Sequence, residues 1–247
     1  GNIEDHLDRV GDCDWIVEAI VERLDIKQNL YAKLEKLKKP GAAVSSNTST
    51  IPLEKLIDGR GEEFRSSFLI THFFNPPRYM RLIEIVRGPH TDAAVADRVV
   101  DFVDRKLGKR VVPTKDTPGF IANRIGTYWL AVAVNAAMDQ GLTIEEADQI
   151  GGKPMGVPKT GIFGLIDLVG IDLMPLLTES LTANLPKGDP YFDTVRDQPL
   201  IERMIAEGRT GRKAGSGFYS FDKKTRTKRA IDFETGEKRP FKFTRGG

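Results

Sequence analysis

Residues 71–84, reading THFFNPPRYMRLIE, place one histidine and one glutamate, His72 and Glu84, in two neighbouring apolar runs. An unperturbed imidazole titrates near pH ~6.5, and one aimed by a buried carboxylate can remove a proton near neutral pH. That pairing is the chemistry these residue types point to. The plainer use of an isolated strand histidine is a core side chain satisfied by a backbone carbonyl, and the two residues alone do not decide between them.

Two strands must hold the pair. Phe68, Leu69, Ile70, Phe73 and Phe74 surround His72 in a run that reads as a buried strand, and Asn75-Pro76-Pro77 stops it because proline cannot donate to a ladder. Leu82 to Val86 carries Glu84 in the second run. Upstream, Asp14 to Ala19 reads as a strand, Leu24 to Leu37 as a helix ended by Pro40-Gly41, and Ala42 to Ser46 as a short strand. A helix begins near Pro52, another runs from Ala93 to Leu107, and Lys109 to Pro113 reads as a last strand. Strands separated by helices imply a mainly parallel α/β sheet with ligands at the carboxyl ends of its strands.

The pattern changes after Asp116. Pro118 opens a long helix to about Gln140 with Trp129, Leu130, Val132 and Val134 on a wide apolar surface, and further helices are expected at 143–150, 162–169, 172–184 and 199–207. The expected division is 1–115 for the sheet domain, 116–221 for an all-helical domain and 222–247 for a basic tail or linker. That last segment carries nine Lys/Arg against four Asp/Glu, a net +5 in a chain whose total is +2. It lacks the aromatic interleaving suited to base stacking, so no nucleic-acid role is expected.

The chain has 247 residues, 40% hydrophobic and 29% charged, which suits one or two globular domains. No run approaches the ~20 apolar residues that span a bilayer, and there is no signal-like N-terminus, so the reading is no membrane contact and a cytoplasmic protein. The single cysteine, Cys13, reads as a buried filler ahead of the first strand. With histidine only at positions 6, 72 and 90, no protein metal site is expected.

Taken in order, Val17-Glu18-Ala19-Ile20-Val21-Glu22, Ser46-Asn47-Thr48-Ser49, His72-Phe73-Phe74-Asn75-Pro76, Asp116 to Arg124, Pro154-Met155-Gly156 and Gly211-Arg212-Lys213 to Gly217-Phe218-Tyr219 resemble the L-3-hydroxyacyl-CoA dehydrogenases. The resemblance covers about 10–221 and implies an oxidoreductase of fatty acid β-oxidation, in which NAD accepts hydride from C3 of a 3-hydroxyacyl-CoA to give the 3-ketoacyl-CoA. It implies His72 as base, Glu84 as its orienting carboxylate, Ser49 on the reacting oxygen and Asn123 near the substrate carbonyl. Glu22, Lys27, Asn47, Ser49, Asn75 and Lys213 match positions around the cofactor. By type alone, Glu22 and Lys27 would be a solvated helix face, and Asn47 to Ser49 a helix cap. A homodimer through the long helix and a fused or associated enoyl-CoA hydratase module are further expectations.

One family feature is absent from the sequence. There is no G-x-G-x-x-G turn to meet a pyrophosphate, and the chain reads as the C-terminal part of a Rossmann-type sheet followed by the helical domain. The expectation is therefore weak NAD binding and slow or no turnover by this chain alone. Two other readings stay open: a related dehydrogenase of a free hydroxy acid or sugar acid, and a non-catalytic helical assembly module.

Overall fold

The computed structural model describes residues 2–157, 159–222 and 224–242. Two compact units divide between Arg124 and Ile125. In the first, a short helix α1 (Ile3–His6) and a 3-10 turn precede β1 (Trp15–Glu18). Then come α2 (Leu24–Leu37), β2 (Ala43–Ser46), α3 (Leu53–Leu56), α4 (Glu62–Ser66), β3 (Phe68–Phe73), β4 (Leu82–Arg87), α5 (Ala93–Arg105) and β5 (Arg110–Thr114). The five strands lie in chain order, parallel except for the antiparallel pair β3 and β4.

Apolar spacing explains which face each helix buries. α2 turns Lys27, Tyr31 and Leu34 inward, an i, i+4, i+7 stripe, and packs Tyr31 and Leu34 with Leu53, Leu56, Phe64 and Phe68. α5 buries Val95, Ala96, Val99 and Val103 against Leu69, Ile83 and Ile85. Asp92 starts that helix by accepting a hydrogen bond from the Ala94 amide at 2.7 Å. Two separate apolar clusters thus pin the sheet, and each fully buried Leu, Ile or Phe contributes about 1.5–3 kcal/mol.

The second unit holds most of α6 (Ala122–Asp139), then α7 (Ile144–Ile150), α8 (Phe163–Val169), α9 (Leu173–Asn184) and α10 (Pro199–Ala206). Its core joins Leu130, Val134, Ile144, Phe163, Ile166, Met204 and Phe218. Thr143 and Glu146 form a reciprocal capping box at the start of α7. A three-stranded antiparallel sheet follows: β6 (Tyr219–Asp222), β7 (Thr227–Ile231) and β8 (Lys238–Pro240).

The structure differs from expectation at several points. The segment after 221, expected as a tail or linker, supplies β7 and β8. Ala230 and Ile231 are buried, and Arg239 pairs with the carboxylate of Glu145 on α7, so this segment folds as part of the second unit. α6 begins at Ala122 rather than Pro118, because Gly119 and Phe120 turn with positive φ of 73° and 49°. The first unit runs past the expected boundary at 115, since Phe120 packs in its core and Asp116 accepts from the Leu53 amide at 2.8 Å. Cys13, expected as buried filler, is exposed just after the 3-10 turn. Among the described residues no helix is long and apolar enough to cross a membrane.

Candidate active site

The register of the one antiparallel pair sets His72 directly opposite Glu84. Residues opposed in this way share a sheet face, with Cβ atoms about 4.5–5.5 Å apart. The His72 ring reaches across, and its Nδ1 lies 2.8 Å from Glu84 Oε2. The other oxygen, Oε1, accepts from the amides of Ile121 at 3.0 Å and Ala122 at 2.8 Å. Glu84 is 1% exposed and His72 6%. Phe74 and Phe120 flank the imidazole with ring centroids 4.6 and 5.5 Å away.

Burial pushes the Glu84 carboxyl up, yet the hydrogen bonds from His72, Ala122 and Ile121 and the attraction of the imidazole outweigh it and hold the carboxyl below its usual range. An ionised carboxylate only accepts hydrogen bonds, so His72 Nδ1 carries the ring proton. In the neutral ring Nε2 then keeps its lone pair, and Nε2 has no hydrogen-bond partner among the described residues. The result is an oriented base at the end of β3, ready to exchange a proton with a hydroxyl.

A second cluster forms where β1 and β2 end. Glu22 accepts hydrogen bonds from the Thr48 hydroxyl, from the Ser49 amide at 3.1 Å and from the Thr50 hydroxyl at 3.1 Å. Lys27 lies 3.1 Å from Glu22 and 2.7 Å from Glu18. Burial raises the Glu22 carboxyl, but the Thr48 hydroxyl and the Lys27 ammonium together bring it below its usual range. Lys27 is 1% exposed, so it is no part of a solvated face.

Beneath this cluster lies a group of residues that sequence reasoning missed. Glu18 accepts from Lys27, from the Tyr31 hydroxyl at 2.5 Å, from the Ser46 hydroxyl at 2.7 Å and from the Ile20 amide at 2.7 Å. Burial and the Glu18 carboxylate push the Tyr31 phenol up, which keeps it a donor. The signal available beforehand was a glutamate at the end of a strand followed by a helix that turns Lys27 and Tyr31, four apart, inward; no single period links the three.

The remaining residues fall as follows. Asn47 sits at the end of β2, its Oδ1 accepting from the Phe73 amide at 2.9 Å, which ties it to the residue after His72. Ser49 and Asn123 are half-buried, Ser49 in the loop held by Glu22 and Asn123 one residue beyond Ala122, whose amide binds Glu84. Asn75 is exposed past the end of β3. Lys213 lies in an exposed turn of the second unit. α3 takes no side-chain cap; the Thr48 hydroxyl instead accepts from the Ile51 amide at 3.1 Å.

The chain is similar to known proteins along most of its length. The family profile described as 3-hydroxyacyl-CoA dehydrogenase, NAD binding domain, matches residues 1–117, and the profile for the C-terminal domain matches 119–221. The chain is 44% identical over 219 residues to a fatty acid oxidation complex trifunctional enzyme of Rickettsia felis, which covers 89% of the chain and 30% of that protein. It is 37% identical over 215 residues to a 3-hydroxybutyryl-CoA dehydrogenase of Deinococcus radiodurans, covering 87% of the chain and 74% of the relative. The crystal structure of M. tuberculosis FadB2 superposes with a TM-score of 0.77 at 32% identity, over 87% of this chain and 73% of that one. The chain thus spans less than a third of the length of the Rickettsia relative. With a mainly parallel sheet, a histidine held by a buried carboxylate on its central strand, and family profiles matching 1–117 and 119–221, the chain belongs to the 3-hydroxyacyl-CoA dehydrogenase family.

Proposed function

We propose that the chain carries the proton-transfer and nicotinamide side of an NAD-dependent 3-hydroxyacyl-CoA dehydrogenase, a cytoplasmic oxidoreductase of fatty acid β-oxidation. The observation that carries this reading is the His72–Glu84 pair, with Nδ1 bound to an ionised carboxylate and Nε2 unpartnered among the described residues. His72 Nε2 takes the C3 hydroxyl proton, and Glu84 stabilises the imidazolium that results. Ser49 and Asn123, neutral donors beside the two clusters, follow the charge that develops on the substrate oxygens. When bound, NAD accepts the hydride that leaves C3.

The residues present suit the nicotinamide end of that cofactor. Glu22 is an ionised, partly exposed acceptor at the carboxyl end of the parallel strands, suited to ribose hydroxyls, and Asn47 and Asn75 flank the same strand ends. Lys27 fits a supporting role, since its ammonium is buried between Glu18 and Glu22. Lys213 is proposed as a further cofactor contact on the family pattern. No residue here is assigned to the adenosine half.

The test is acetoacetyl-CoA-dependent oxidation of NADH by the full encoded polypeptide and its His72→Ala variant, with circular dichroism confirming the fold. Turnover that disappears in the variant supports the reading; turnover in neither protein, or equal turnover in both, overturns it. A homodimer is proposed through α6, where Ile125 (64%), Tyr128 (36%) and Val132 (42%) expose an i, i+3, i+7 apolar stripe. Light scattering that finds a monomer refutes it. Similarity to a trifunctional enzyme supports an enoyl-CoA hydratase module fused to or associated with the chain.

A further inference from the structure

A cavity of ≈ 1000 Å³ lies wholly within the second unit, and none of the residues placed above in the oxidoreduction site lines it. Its wall brings together Lys153, Lys159, Arg212, Lys228 and Lys242. Among the described residues none of these five side chains is held in an ion pair. Gathering like charges in one concavity raises the local potential and favours an anion there.

Three carboxylates share the wall, but their oxygens are committed to donors of the protein itself. Glu145 receives both guanidinium nitrogens of Arg239 at 2.7 and 2.6 Å and the Lys242 amide at 2.9 Å. Asp148 accepts from the Phe163 and Gly164 amides at 2.6 and 3.0 Å and from the Tyr219 hydroxyl at 2.8 Å. Asp167 accepts from the Phe218 and Tyr219 amides, both at 2.8 Å. The cations are therefore left without a hydrogen-bonded counter-charge.

The same cavity has aromatic walls. The Lys228 ammonium stands 4.0 Å from the Tyr219 ring centroid and 4.2 Å from that of Phe241, and Phe221, 58% exposed, lines the space beside them. Cations and aromatic faces in a space of this size match the requirements of a small ligand with an anionic end and a flat ring.

We propose that this cavity binds a phosphate-bearing aromatic molecule of the nucleotide class, with its phosphates on Arg212 and Lys228 and its ring against Phe221 and Phe241. The site is separate from the proposed dehydrogenase chemistry and stands whether or not that reading holds. Isothermal titration calorimetry of the chain with adenosine 5′-diphosphate and with inorganic pyrophosphate tests it. Binding of the nucleotide should weaken at least about tenfold in Arg212→Gln and in Lys228→Gln, both exposed positions, and stay unchanged in Lys106→Gln on the other unit. Phe221→Ala should weaken the nucleotide about tenfold while leaving pyrophosphate unaffected. Absence of nucleotide binding overturns the proposal. So does binding that ignores Arg212→Gln and Lys228→Gln but is lost in Glu22→Gln, which would put the nucleotide at the cofactor site. Equal affinity for pyrophosphate and nucleotide overturns the aromatic part.

Discussion

Replacing Glu84 by Gln isolates what the carboxylate does for His72. Oε1 holds the amides of Ile121 and Ala122 while Oε2 holds Nδ1 of the imidazole, and an amide can keep an oxygen on only one side. If its NH2 faced the two backbone amides, two buried donors would lose their acceptor at about 1–3 kcal/mol each. If the NH2 faces His72 instead, the ring answers by moving its proton from Nδ1 to Nε2. That exchange of tautomer costs less, so the second arrangement wins. The stability loss should then be about 1–1.5 kcal/mol for each bond to the former carboxylate, the difference between charge-assisted and neutral bonds. Turnover should fall about 100- to 10,000-fold, because Nε2 now carries a proton where it must accept one. Nitrogen-15 NMR of the His72 ring reads the tautomer in the folded chain without needing activity, and acetoacetyl-CoA reduction by the full polypeptide reads the rate. A Glu84→Gln protein that keeps Nδ1–H and loses less than about threefold in rate would refute the orienting role.

Other perturbations have equally definite signs. Burial, with Asp148 adding to it, pushes Asp167 up to about 6 from 3.8, against the hydrogen bonds from Tyr219 and Phe218. The folded state therefore holds this proton more tightly, giving about 2–3 kcal/mol of stability that is full below pH 3.8 and lost as pH rises through about 6. Urea midpoints should be higher at pH 5 than at pH 7 by an increment that Asp167→Asn removes; an unchanged difference contradicts the assignment. Lys27→Met leaves the buried Glu18 without its cation and should cost about 3–5 kcal/mol, with part of the loss recovered in Lys27→Met/Glu18→Gln, as read from denaturant midpoints. Gly217→Ala would place a methyl 2.0 Å from Asp167 Oδ1 and 2.7 Å from Gly211 Cα, so a loss of about 3 kcal/mol or more is expected in thermal unfolding.

Periodicity made the sheet-forming half readable. The span of α2 and the two runs that became β3 and β4 follow from apolar spacing bounded by proline and glycine, and the histidine and glutamate stood out because charged groups in apolar runs need partners. What periodicity does not encode is pairing across elements. Glu18, Lys27 and Tyr31 meet only once β1 and α2 are packed, and in the sequence Lys27 looked like any other helix lysine. The strands β7 and β8 were hidden for the opposite reason. Their outward positions carry Lys and Arg, so the run read as a charged linker, while the inward Ala230 and Ile231 are too few to mark a strand. The amides of Ile121 and Ala122 on Glu84 were likewise invisible, since backbone donors leave no trace in residue type.

Because His72 and Glu84 face each other across hydrogen-bonded neighbours in the sheet, their separation is fixed by strand register and not by any loop. Beyond Phe74, which packs on the imidazole, and Asn75, the connection at 76–81 can lengthen, shorten or change composition without altering the pairing of His72 with Glu84, whereas inserting one residue within β4 ahead of Glu84 would turn it to the opposite face. Variation is thereby channelled to one side. The segment between the strands is free to diversify with the shape of whatever is presented to the base, and the base itself is inherited intact with the sheet.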